Sequence, residues 1–128
     1  MSSFNHAGPH FAVRDVTGGV AFYANVLEFD VDYLDGDPPR YAVVFRDDVY
    51  VHLSMPDSPD FIPGAGRAFI SVSYVESVSR RAVSVSPGSV VQALEDRDFG
   101  QGVRFRVFSI ADPDGNTLRI GEPLNVTP

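Results

Sequence analysis

Few side chains in this chain are equipped for chemistry, and Arg119 is the most informative of them. It sits in DPDGNTLRIGE, residues 112–122, where a Pro-Asp-Gly-Asn turn leads into a short alternating strand. Leu118 and Ile120 fall on one face of that strand, Thr117 and Arg119 on the other. A guanidinium so placed can grip a carboxylate or phenolate through paired hydrogen bonds, or pair with an acidic neighbour such as Asp47 or Glu122. The three histidines are His6, His10 and His52. The spacing His6-x3-His10 is not a metal signature on extended backbone. Other chemistries are excluded outright. With no cysteine there is no thiol nucleophile, zinc–thiolate site or disulfide. With no lysine there is neither Schiff-base chemistry nor a P-loop lysine. No G-x-S-x-G occurs, and the serines at 71, 73, 77, 79, 84 and 86 follow strand and loop composition. DPDG departs from a calcium loop, whose glycine is sixth and glutamate twelfth. Here Gly115 is fourth and Glu122 eleventh. Asp112 and Asp114 are read as turn residues, not an acid/base pair.

The elements that must position these groups come from a chain of 128 residues, enough for one compact domain. A net charge of −7 argues against nucleic acid as a partner. No apolar run approaches the ~20 residues of a membrane helix, and MSSFNHAGPH lacks a secretory pattern, so a cytoplasmic location is expected. The all-arginine basic set hints at a GC-rich bacterial source.

Alternation predicts strands over residues 9–16, 28–34, 40–46 and 49–54, with a helix over 16–27. That helix carries Val20, Tyr23, Ala24 and Leu27 as its stripe, Asp15 or Thr17 as cap, and Gly18-Gly19 weakening its first turn. The Pro-, Gly- and Asp-rich segment 55–66 reads as a linker. The order then begins again: a strand over 67–74, a helix over 75–83, a poorly patterned stretch with one strand near 89–94, and a hairpin of 103–110 with 117–121. AVRDVTGGV (12–20) matches ISVSYVESV (70–78) in its order of elements, and FRDDVYVHLS (45–54) matches SIADPDGNTLRIG (109–121). A period near 60 residues makes this a duplicated βαβββ unit, module 1 at about 9–54 and module 2 at about 67–122.

VRDVTGGVAFYANVLEFDVDY, YAVVFRDDVYVHLS and DPDGNTLRIGE, taken together, resemble the vicinal oxygen chelate superfamily. That superfamily includes glyoxalase I, extradiol dioxygenases, fosfomycin-modifying transferases and bleomycin-resistance proteins. The resemblance covers about residues 9–122 and is nearest the bleomycin-resistance branch. It implies an α+β fold, two βαβββ modules forming a curled, mostly antiparallel half-barrel cleft, often completed across a homodimer. Metal-using members place four ligands on that concave face, at the first and last strand of each module. Matched by motif, these positions fall near Gly8 and Arg67, and at His52 and Arg119. Of the four, His52 alone can bind a metal; a shift of one or two residues would bring in His10 or His6 but no carboxylate at 119, so no metal or other cofactor is expected.

Period-2 alternation fills the rest of the implied cleft. With Val49, Val51 and Leu53 toward the helices, Tyr50, His52 and Ser54 face it. With Ala68, Ile70 and Val72 inward, Arg67, Phe69 and Ser71 face it, and His10 and Ala12 lie opposite Phe11 and Val13. Phe99-Gly100 stands where the resistance proteins carry Trp-Gly, although FGQGVRF is longer than the usual spacing. The expected ligand-binding set is therefore His10, Tyr50, His52, Arg67, Phe69, Phe99 and Arg119, with no catalytic residue assigned. Each also has a plain structural reading: His52 as a structural or surface histidine, Tyr50 and Phe69 as packing residues. The expected function is non-catalytic sequestration of a small molecule such as an antibiotic or natural product. The alternative is a lyase, isomerase or dioxygenase of the same fold, and a third reading is a dimerisation or regulatory module with a vestigial cleft.

Overall fold

The structure, a computed structural model, describes residues 1–124. Its elements run β1 (His10–Ala12), α1 (Val16–Leu27), β2 (Asp30–Asp35), β3 (Tyr41–Arg46), β4 (Val49–Ser54), β5 (Arg67–Ser71), α2 (Val75–Val85), a 3-10 turn at Pro87–Ser89, β6 (Val90–Asp98), β7 (Arg104–Ala111) and β8 (Thr117–Pro123). They build two four-stranded sheets, ordered β1-β4-β3-β2 and β5-β8-β7-β6. In each, the first strand runs parallel to the last and the other pairs are antiparallel. The repeated βαβββ order therefore produces the same topology twice, in an α+β fold whose sheets do not close into a barrel.

One face of each sheet is covered by helix. Phe11, Tyr23, Leu27, Val51 and Leu53 from the first half share a continuous core with Phe108, Ile110, Leu118 and Ile120 from the second. Alternation explains the division: Val51 and Leu53 are fully buried, while Tyr50 and His52, which alternate with them, are only half-buried. Helix α1 buries Val16, Gly19, Phe22, Tyr23, Val26 and Leu27. Its buried stripe is thus rotated from the one expected, leaving Val20 and Ala24 half-buried. Gly19 lets the helix pack closely on β4: a Cβ there would stand 3.2 Å from Leu53 Cδ1. Asp15 occupies the N-cap position, but its side chain makes no capping bond. For α2 the missing cap comes from another strand, the Val75 amide donating to Glu122 Oε1 at 2.9 Å.

The boundaries that depart furthest from the sequence reading are those of β1, β5 and β6. β1 has three residues rather than eight, because the chain leaves the sheet after Val13 donates to the Ser54 carbonyl. β5 stops at Ser71, and Tyr74 adopts a left-handed conformation (φ 59°) just before α2. β6 extends to Asp98, and two register shifts against β7 account for the weak alternation of its sequence.

The two halves are clasped by the DPDGN turn. Asp112 Oδ1 accepts the amides of Asp114, Gly115 and Asn116 at 2.9–3.0 Å, and Gly115 takes φ 102°, the left-handed region that suits glycine. The turn presents Asn116, which is fully buried. Its Nδ2 donates to the carbonyl of Ala12 in β1 and to Asp112 Oδ2, and its Oδ1 accepts the Gly66 amide. Beside it, Asp114 accepts both the backbone amide and the guanidinium of Arg14. Burial pushes the Asp112 carboxyl up from its ordinary value, against the opposing pull of the N–H groups it accepts.

Candidate functional site

The seven residues singled out from the sequence fall into two groups, one on the helix-free face of each sheet. In the first sheet His10 on β1 is registered directly beside His52 on β4, and His52 opposite Val43 on β3. This pairing brings the imidazoles to 6.2 Å between ring centroids. His10 Nε2 lies 2.8 Å from Ser54 Oγ, which buries a serine the alternation had placed in the open. His52 Nδ1 is met by the Tyr41 hydroxyl in a short hydrogen bond. Around this pair rings continue on every side. His6 stacks on Tyr50 at 4.3 Å and lies 6.0 Å from His52, Tyr50 stacks on Phe45 at 5.6 Å, and Phe61 packs on His10 at 4.8 Å. Burial, and then the neighbouring His10 and His6, push the His52 imidazole below its ordinary pKa, with Asp32 pulling the other way. His52 is therefore a neutral imidazole at neutral pH, held by a phenol and walled by rings.

The second sheet carries a different chemistry. Phe69 on β5 is registered beside Arg119 on β8, and Arg119 opposite Ser109 on β7. Phe69 and Phe105 meet edge to face at 5.4 Å, and Phe99 packs on Phe105 at 6.0 Å. Both Phe69 and Phe99 are about half exposed (49% and 46%). The rings of Phe69 and Phe105 lie over Gly121, where a Cβ would come within 3.1 Å of Phe69 Cζ and 3.4 Å of Phe105 Cδ2. Among the described residues, Arg119 and Arg67, like Arg40, Arg80 and Arg104, have no ion pair or side-chain hydrogen bond, whereas Arg14, Arg97 and Arg106 pair with carboxylates. Glu122, a possible partner for Arg119, is instead committed to capping α2.

No side-chain hydrogen bond, ion pair or ring contact among the described residues joins the His10–Tyr50–His52 group to the Arg67–Phe69–Phe99–Arg119 group. Sequence reasoning missed Tyr41, Phe45, Phe105, His6 and Phe61 as members. The first three carry the correct strand parity and could have been found by extending the alternation to β3 and β7. Phe61 lies in the irregular 55–66 segment, where no periodicity exists.

The register sets the neighbours of the two last-strand positions. The residue beside His52 is His10, not Gly8, and the residue beside Arg119 is Phe69, not Arg67. The first half thus offers two imidazoles, while the equivalent positions in the second offer a phenyl ring and a guanidinium. No group of three or more His, Asp or Glu among the described residues is arranged to hold a metal ion. The residues at the four positions do not fit a divalent cation shared between the two halves.

The profile of the Glyoxalase/Bleomycin resistance protein/Dioxygenase superfamily matches residues 3–120. The chain belongs to this superfamily. No curated protein matches the sequence. Among solved structures, the bleomycin-binding protein of bleomycin-producing Streptomyces verticillus, complexed with copper(II)-bleomycin, is similar at 22% identity. The alignment covers 94% of this chain and 97% of that one, with a TM-score of 0.71. TnmS3, an antibiotic binding protein from Streptomyces sp. CB03234, aligns at 22% identity over 97% and 100% of the two chains, TM-score 0.70. TioX from Micromonospora sp. ML1 aligns at 19% identity over 94% and 100%, TM-score 0.76. At these identities the likeness establishes the fold, and the superfamily spans binders and enzymes alike. No helix among the described residues is long and apolar enough to cross a membrane.

Proposed function

We propose that this member of the superfamily is a non-catalytic protein that binds and sequesters a small molecule, an antibiotic or other natural product, on the ring-lined faces of its sheets. The observation that carries the reading is the guanidinium of Arg119, without an ion pair or side-chain hydrogen bond among the described residues, beside half-exposed phenyl rings. A cation and exposed aromatic area kept free of internal partners are what an anionic aromatic ligand would engage. His10, Tyr50 and His52 supply a second ring-lined surface with hydrogen-bonding edges, and Arg67, Phe69 and Phe99 flank Arg119. The antibiotic-binding proteins of the same fold support a small-molecule ligand. The reading takes the protein as a cytoplasmic, bacterial homodimer in which a second copy brings the two kinds of face together. Exposed Val31, Tyr33 and Leu34 on the outer strand β2 support such an assembly.

The test is a thermal-shift screen of anionic, neutral and cationic aromatic compounds, followed by calorimetry with each hit. An anionic aromatic should raise the melting temperature of the wild type and not that of Arg119→Ala. Hits that are indifferent to Arg119→Ala, bleomycin included, would refute the anionic-ligand reading.

The Tyr41–His52 contact supports the alternative, a lyase, isomerase or dioxygenase. A neutral imidazole oriented by a phenol is suited to take a proton from a bound substrate. Turnover of any identified ligand, lost in His52→Gln with binding retained, would favour it.

A further inference from the structure

A separate recess of about 470 Å³ opens between the two halves, away from the ring-lined faces. Its floor is apolar: Leu27 and Phe29 from the first half, Ile70, Val72, Val78 and Ile120 from the second. Ile70 and Ile120 have the parity opposite to Phe69 and Arg119, so the recess lies on the helix side of the second sheet. The volume is within the range of small-molecule pockets, ~300–1,000 Å³.

The rim has a definite charge. Asp47 and Asp48, in the β3–β4 turn, are exposed and have no ion pair among the described residues. The lining cation, Arg46, donates to the Leu27 carbonyl at 3.0 Å. The rim also holds Tyr74, 80% exposed because its left-handed backbone turns it off the start of α2. Two unpaired carboxylates and an exposed phenol ring over an apolar floor are complementary to one ligand class. An ammonium group would meet the carboxylates and the ring face, and an alkyl or aryl body would fill the floor. An anion would meet the two aspartates instead.

We propose that this recess binds a small amphiphilic cation, independently of the ring-lined faces. The site draws its walls from both halves, so its occupant would also brace them against each other.

Calorimetric titration of the full chain with octyltrimethylammonium below its micelle concentration, against 1-octanol and octanoate, tests this. The expected result is saturable one-to-one binding of the cation, with octanol about tenfold weaker, as expected when a cation–π and carboxylate contact is lost, and octanoate undetectable. Asp47→Asn with Asp48→Asn should remove the preference for the cation without unfolding the protein, since both side chains are exposed. Val78→Phe should block the floor for all three probes. Arg119→Ala and His52→Gln should leave the cation's affinity unchanged. Absence of saturable binding, equal affinity for octanol and the cation, or loss of binding in Arg119→Ala would each overturn the proposal. The last of these would place the cation on the ring-lined face instead.

Discussion

Replacing Asn116 with alanine removes three hydrogen bonds from a fully buried position: Nδ2 to the Ala12 carbonyl at 3.0 Å, Nδ2 to Asp112 Oδ2 at 3.0 Å, and the Gly66 amide to Oδ1 at 2.9 Å. At a net ~1 kcal/mol per bond the loss is about 3 kcal/mol, before any cost of leaving the Ala12 carbonyl and Gly66 amide unpaired. For 128 residues, with an unfolding entropy near ~2.1 cal/mol/K per residue, that loss corresponds to about 11 °C in melting temperature. Calorimetric melting of Asn116→Ala measures it directly, with urea unfolding as a second readout. Asn116→Asp separates hydrogen bonding from packing. It keeps the shape, yet turns a carboxylate oxygen toward the Ala12 carbonyl and the Asp112 carboxylate. That variant should be less stable than Asn116→Ala at neutral pH and recover part of the difference as acid protonates the new carboxyl. A drop of less than about 3 °C for alanine, or wild-type stability for aspartate, would refute the account of Asn116 as the clasp between the halves.

Three further outcomes follow from the geometry. Arg119→Ala should weaken binding of an anionic ligand by roughly 1.5–3 kcal/mol while barely changing the melting temperature, since Arg119 has no internal partner among the described residues; a destabilised variant with unchanged affinity would show that it is structural. Tyr23 is fully buried and its hydroxyl finds no partner among the described residues, while burial raises its pKa well above the ordinary value, so Tyr23→Phe should raise the melting temperature, and a fall would mean that the hydroxyl is bonded in solution. Because the folded state lowers the His52 pKa, the folded protein takes up this proton less readily than the unfolded chain, so stability should fall as pH drops below about 6.5. His52→Gln should lose less stability than the wild type between pH 7 and 5; parallel curves would remove His52 as the source.

What the sequence alone determined is what short-range periodicity can carry. The helix over Val16–Leu27, the strand Val49–Ser54 and the alternation around Arg119 were legible because each depends on side chains two to four positions apart. The repeated order of elements was legible too, since it needs only those local signals in sequence. β6 was partly hidden because its register shifts break the period on which the reading rests. The tertiary structure decided everything that depends on pairing between distant segments. The register of β1 against β4 set His10, rather than Gly8, beside His52. Chain connectivity brought Asn116 to Ala12, a hundred and four positions away, and so turned an ordinary hairpin turn into the clasp of the fold. The division of the expected site into an imidazole-rich face and an arginine-bearing face has the same origin. Alternation shows which side of a strand a residue occupies, but only the packing of two separate sheets decides which of those sides meet.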